Sequence, residues 1–459
     1  MTQAISLPRQ LFNLSWPVLV AQAAVTANSV IDTLMAGQIS PVDLAAVGIG
    51  ASIFATVFVT VMGVLLALPP IVAHHYGAGR HLAIGSDVRQ SAWLALFLSI
   101  IAFTALKFPE PLLAFSQLEP ALELKVRAYL SGIAWSVPGV LFFRVFYGFT
   151  IGISRPRPVM MLNILGLVLK LSLNTVLMFG YLGFPAMGGA GAGWSSAVSM
   201  SALAMIAWTW CYRENTLAVF GVFSRFDWPQ WAPIKEFLRL GVPTGAMFLV
   251  DVTAFTFMAL FVARLGAENS AAHQIISSVV IFLYTFPLAL GSAAGVLVGQ
   301  SLGAGDPVKA RQAGWLGVKI GMTISFSLSV LVALNAQSLA AIYTSDETVR
   351  QIAASLLLLV LLFHPFDALQ GLFAQILRSY KRATVPMVIY ALALWGVGLA
   401  GGYLLGLTDT FGSARGISGF WMAAAAGLGL AGISVTLYFR HVAALAVVAV
   451  TPIPTSTAA

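Results

Sequence analysis

Charge is what this chain has least of. Of its 459 residues only 9% are Asp, Glu, Lys or Arg, while 59% are hydrophobic and the mean hydropathy is +0.91. Soluble domains carry about 25% charged residues, so a water-soluble globule is excluded. There is one cysteine, Cys211, which rules out an intramolecular disulfide and any Cys-based metal cluster. No HExxH, GxSxG or Walker A pattern occurs, so the chain shows no zinc-protease, Ser-hydrolase or ATP-motor signature. It is not expected to be an enzyme or to carry a cofactor. The net charge of +8 does not argue for nucleic acid, because the basic residues sit mostly between apolar runs, where membrane orientation rules place them.

What the chain has in abundance is long apolar runs. They are roughly 20–28 residues long, enough to cross about 30 Å of hydrocarbon as helices, and they lack the ten-residue alternation of a membrane barrel. Twelve spans are expected, at about 11–36, 45–73, 88–107, 126–153, 158–180, 189–213, 236–264, 270–299, 311–340, 348–378, 384–406 and 416–440. Ala21-Gln22-Ala23 looks like a signal-peptide cleavage site, but the apolar run continues to Met35, which predicts an uncleaved first helix. Of the 24 Lys and Arg residues, 15 fall at the termini and in even-numbered loops, 6 in odd-numbered loops and 3 inside spans. The positive-inside rule then places both termini in the cytoplasm, which needs an even number of spans.

The stretch Arg239 to Asp251 organises the rest. It opens the seventh span with Gly241-Val242-Pro243 and reaches a carboxylate eight residues after the proline. The first span has its own proline, Pro17, and its own carboxylate, Asp32, fifteen residues on. Pro17 and Pro243 are 226 residues apart; so are Ala45-Ala46 and Ala271-Ala272, and Gly77-Ala78-Gly79 and Gly303-Ala304-Gly305. Further on, Arg89-Gln90-Ser91-Ala92-Trp93 resembles Arg311-Gln312-Ala313-Gly314-Trp315 at an offset of 222. Six spans per half give the copies one orientation, a parallel repeat of the kind that holds substrate between halves in transporters. The expected organisation is an N-terminal six-helix lobe at 1–213, a cytoplasmic or interfacial linker at 214–235, a C-terminal six-helix lobe at 236–440, and a tail at 441–459.

Ionisable groups at midplane cost roughly 2.5–3.5 kcal/mol on insertion scales, so they are functional candidates by default. Asp32, Arg144, Lys170, Asp251, Lys319 and Asp367 qualify. Lys319 is near enough to an end to snorkel, and Arg144 reads as a helix anchor. Asp251 and Asp367 lie on the first and fourth helices of their half; side by side, two carboxylates share a proton or bind a cation such as Na⁺. Phe363, His364, Gln370 and Gly371 share the face of Asp367. Met247, Phe248 and Phe255 surround Asp251 with polarisable surface suited to a lipophilic cation, or with ordinary packing. In the N-terminal half Asn28 sits one turn before Asp32 and Asn174 one turn after Lys170, and Asp32 with Lys170 forms either a structural pair or part of the mechanism.

These residues resemble the multidrug and toxic compound extrusion (MATE) family, most nearly its bacterial NorM-like branch, over about residues 7–440. The resemblance rests on Trp16-Pro17, Val30-Ile31-Asp32-Thr33, Ala36-Gly37, Tyr76-Gly77-Ala78-Gly79, Gly241-Val242-Pro243, Leu302-Gly303-Ala304-Gly305, Asp367-Ala368-Leu369-Gln370 and Leu377-Arg378-Ser379-Tyr380-Lys381. It implies an all-α inner-membrane protein with two six-helix lobes forming a V. It also implies alternating access and export of small lipophilic cationic drugs against Na⁺ or H⁺. The family's C-lobe cation site falls on Asp251 and Asp367, its first-helix aspartate on Asp32. The seventh-helix acid is commonly Glu, and here it is the shorter Asp251. Lys170 stands where relatives often carry a polar amide, a fixed cation that neutralises Asp32. A monomer in the bilayer is expected. Two rival functions are a lipid-linked precursor flippase, which calls for a cationic cavity that Asp251 and Asp367 do not supply, and a passive channel or membrane scaffold.

Overall fold

The computed structural model describes residues 6–113 and 118–449. The Pro/Thr/Ser-rich end of the expected tail, from Thr451, lies outside the described residues. Among those residues every regular element is helical. The membrane-length helices, in chain order, are α1 (Leu7–Ile39), α2 (Pro41–Gly77), α3 (His81–Lys107), α4 (Pro120–Ala134 and Ser136–Gly152, bent by 41°), α5 (Arg157–Phe179) and α6 (Gly189–Arg213). The second series is α7 (Trp231–Ala263), α8 (Ala267–Gly303), α9 (Pro307–Leu334), α10 (Glu347–Ser379), α11 (Thr384–Leu407) and α12 (Gly416–Val448). Eleven are long and apolar enough to cross a membrane, and the bent α4 taken as one span makes twelve. Each corresponds to one expected span.

The ends differ from the sequence reading where polarity misled it. α12 runs on through His441-Val-Ala-Ala-Leu-Ala-Val-Val to Val448, because Ala and Leu are strong helix formers. α7 begins at Trp231, inside the segment expected to be linker. The helix starts follow capping rules. Ser40 accepts from the Asp43 amide at 3.0 Å with Pro41 behind it; Asp306 and Asp346 cap α9 and α10 in the same way. The two repeated Gly-Ala-Gly turns end on left-handed glycines, Gly79 (φ +68°) and Gly305 (φ +77°), a conformation that other residues adopt only with strain.

Two compact units form, one of Trp16–Leu249 and one of Met1–Ser15 with Val250–Ala459. The divisions fall within α1 and α7, the helices that carry Pro17 and Pro243. In the first unit α6 packs against both segments of α4 and against α5. In the second α10 packs against α8, α9 and α12, and α11 against α12. Small residues set these approaches: a Cβ on Gly63 of α2 would stand 2.1 Å from the Gly245 Cα of α7, so the two backbones touch where only glycine fits.

The linker is pinned to the first unit. Asp227 Oδ2 accepts from Arg89 Nε at 2.7 Å and pairs with Arg89 Nη2 at 2.6 Å, and Asp227 Oδ1 pairs with Arg225 at 3.0 Å. Gln90 bonds the Trp228 carbonyl and the Gln230 amide at 2.9 and 2.7 Å, and Trp93 stacks on Trp228.

Candidate functional site

In the second unit the acids of α7 and α10 come together. Asp251 and Asp367 lie close enough to feel one another's charge. The Tyr390 hydroxyl of α11 donates to Asp251 Oδ1 at 2.5 Å. Tyr390 and Tyr284 of α8 each interact electrostatically with both carboxylates. Tyr284 is admitted by Gly371, one turn after Asp367, where a Cβ would stand 2.5 Å from the phenol oxygen. Four helices thus contribute two carboxylates and two phenols to one cluster. Just beyond Tyr390, α11 opens into a π-helix over Leu392–Ala400, a local widening that often marks functional sites. Within it Trp395 donates to the Val250 carbonyl at 3.2 Å, next to Asp251.

One helical turn past Asp251 an aromatic wall begins. The Phe255 ring lies 6.2 Å from Phe363 and 6.3 Å from Trp421, and Phe363 meets Trp421 edge-on at 5.1 Å. His364 is fully buried, and among the described residues neither ring nitrogen has a hydrogen-bond partner. Gln370 is buried on the same helix. Met247 and Phe248 fall on the part of α7 that belongs to the first unit, so they do not join this cluster within one unit.

The first unit gathers Asp32, Lys170 and Asn174. Asp32 Oδ2 pairs with Lys170 Nζ at 3.1 Å, and Asn174 Nδ2 donates to Asp32 Oδ1 at 2.7 Å. The ammonium also donates to the Ala192 carbonyl at 2.8 Å and to the Ser196 hydroxyl. Ser195 in turn holds the Asn174 side-chain oxygen. Lys170 is 3% exposed; it fills a cage of oxygens from α1 and α6, the arrangement that a bound metal cation would otherwise demand. Asn28 stays apart: its amide bonds the Ala24 carbonyl of its own helix at 3.1 Å. Arg144 lies over the Tyr147 ring at 5.4 Å, and Lys319 is exposed.

Sequence reasoning passed over Tyr284, Tyr390, Trp421 and Asp43. The phenols had a readable signal, since a tyrosine inside an apolar run needs a partner for its hydroxyl. Asp43 lies between the first two expected spans, yet it is 4% exposed. It accepts from Lys125 at 2.6 Å and from the Gly189 amide at 2.9 Å, joining the starts of α2, α4 and α6.

The MatE family model matches residues 17–176 and 243–404, two stretches that start 226 residues apart, the offset of the prolines. The chain is 35% identical over 439 residues to the probable multidrug resistance protein NorM of Chromobacterium violaceum, covering 94% of this chain and 93% of that one. It is 36% identical over 433 residues to the multidrug resistance protein PmpM of Pseudomonas aeruginosa, covering 94% and 90%. Among solved structures, its fold is similar to a MATE crystal structure in a bent conformation, with a TM-score of 0.88 at 17% identity and 97% of each chain covered. It is also similar to a eukaryotic MATE transporter, with a TM-score of 0.85 at 19% identity and 97% and 99% covered.

Proposed function

We infer that this chain, which belongs to the MatE family, is a multi-pass membrane transporter that exports drugs in exchange for a monovalent cation. The family is one of transporters, and the curated relatives are named as multidrug resistance proteins. The observation that carries the coupling proposal is the pair Asp251 and Asp367 with Tyr390 bonded to one of them. Two nearby carboxylates repel unless a proton or cation intervenes, and carboxylate and phenol oxygens are hard donors suited to Na⁺ or H⁺. Entry of that ion removes one of the cluster's two negative charges, and a lipophilic cationic drug competes for the same negative charge beside the Phe255, Phe363 and Trp421 rings. His364 and Gln370 line the same helix and orient cargo. Met247 and Phe248 supply polarisable and aromatic surface of their own in the first unit.

In the first unit Lys170 already supplies the positive charge at Asp32. Asp32 and Asn174 therefore contribute to coupling through the opening of that pair, and Asn28 supplies a polar neighbour on α1. The loop charge bias supports cytoplasmic termini in a bacterial inner membrane, with the protein acting as a monomer by alternating access. One-for-one exchange of a monovalent cation for a monocationic drug moves no net charge, so the ion's concentration gradient drives it, and each tenfold of that gradient supplies about 1.4 kcal/mol. No covalent step is needed.

The test is ethidium efflux from cells expressing wild type or Asp367→Asn, with Na⁺ and pH varied independently. Wild-type efflux that follows one ion and is lost in the variant supports the reading and names the ion. Efflux that survives in Asp367→Asn removes the proposed coupling site.

A further inference from the structure

The two halves treat one repeated motif differently. In the first unit Arg89, Gln90 and Trp93 are covered by the linker, whose Asp227 carboxylate sits on the Arg89 guanidinium while Trp228 stacks on Trp93. Their counterparts on α9 are Arg311, Gln312 and Trp315. These line an open cavity of about 620 Å³ in the second unit, together with Lys319, Leu316 and Leu7 from the start of α1. The Trp315 ring packs on Phe373 and Phe439 at 5.5 Å each, and the Arg440 guanidinium lies 5.7 Å from its centre.

Among the described residues no acid lines this cavity. The nearest acid on α9, Asp306, is engaged with the Lys309 amide at 2.8 Å as the helix cap. The offset of 226 that relates Pro243 to Pro17 sets Asp227 against Met1, and Met1-Thr-Gln-Ala-Ile-Ser contains no carboxylate. A site built like the one that takes Asp227 therefore lacks its anion, and carries Arg311, Lys319 and Arg440 around it. Its walls are apolar and aromatic, and it lies at the span ends where the chain's basic residues gather. Basic pockets between membrane helices at that face suit anionic lipid headgroups, and an indole suits the interface.

We propose that the cavity beside Trp315 binds the phosphate headgroup of an anionic phospholipid, with Arg311 and Lys319 on the phosphate and the acyl chains against Leu316 and Leu7. The phosphate takes the place that the Asp227 carboxylate holds in the other half. This is independent of the coupling mechanism, since none of these residues belongs to the acid cluster.

The experiment is native mass spectrometry of the purified full chain with equimolar phosphatidylglycerol and phosphatidylcholine. Wild type is expected to retain phosphatidylglycerol over phosphatidylcholine by about tenfold or more. The double variant Arg311→Gln/Lys319→Gln brings the ratio to about one, whereas Arg311→Lys keeps the preference and so does Arg415→Gln, which removes a charge from another loop. Inorganic phosphate at millimolar concentration does not displace the lipid. Equal retention of the two lipids, or a preference unchanged in the double variant, overturns the proposal. So does displacement by inorganic phosphate, or a preference that emerges only when residues 1–6 are deleted, which would make that segment the natural occupant.

Discussion

The Tyr390 hydroxyl and Asp251 Oδ1 stand 2.5 Å apart, across 139 residues of sequence, tying α11 to α7 at the proposed coupling site. A hydrogen bond to a charged group contributes about 1.5–3 kcal/mol. Tyr390→Phe keeps the ring and removes the bond. Efflux is expected to remain, with the coupling-ion concentration at half-maximal rate moved by about tenfold or more. Titrating efflux against Na⁺ and against pH checks this; an unmoved midpoint for both ions separates Tyr390 from coupling.

The Asp32–Lys170 pair gives a stability prediction. Removing one partner of a buried ion pair costs about 3–5 kcal/mol, because the other charge is left unpaired in a poor solvent. Lys170→Met is expected to lower the thermal midpoint of the purified protein sharply. Asp32→Asn/Lys170→Met removes both charges and is expected to recover most of the loss. A double variant as unstable as the single one would show that packing of the lysine stem, not charge, holds α5 against α1 and α6.

The crossing of α2 and α7 leaves no room for a side chain. Gly63→Ala places a Cβ 2.1 Å from the Gly245 Cα, and backbone cannot step aside as a rotamer can. Overpacking typically costs 1–3 kcal/mol, and loss of folded yield is expected here. Gly48→Ala is the matched control, since a Cβ there meets nothing within 4 Å and Ala is the better helix former. Comparing expression and thermal midpoints of the two variants tests the assignment.

The linker clamp predicts protease resistance. Arg225 is exposed, but its neighbour Asp227 is held by Arg89, and Gln90 fixes the backbone on the far side. Asp227→Ala removes the bonds of about 1.5–3 kcal/mol each that involve the carboxylate. Trypsin cleavage after Arg225 is expected to quicken by about tenfold or more. Cleavage at the wild-type rate would mean that Gln90 and the Trp93–Trp228 stack suffice.

The twelve spans, the repeat at 226 residues and the acids Asp32, Asp251 and Asp367 were all legible in the sequence. The reason is that hydrocarbon solvent imposes a strict pattern: apolar runs of fixed length, polar interruptions, and few charges that each require an explanation. Pairings across the chain are another matter. Nothing local in the sequence says that Tyr390 meets Asp251, that Tyr284 reaches over Gly371, or that the Lys170 ammonium is caged by Ala192 and Ser196. Those contacts depend on which faces of non-adjacent helices pack together. Asp43 shows the same limit: it sits beside a loop in sequence and is buried in space, because three helix starts converge on it. The membrane wrote the spans and the charges into the chain. Only packing decided which charges find partners, and which, like Arg311 and Lys319, face a cavity lined by no acid among the described residues.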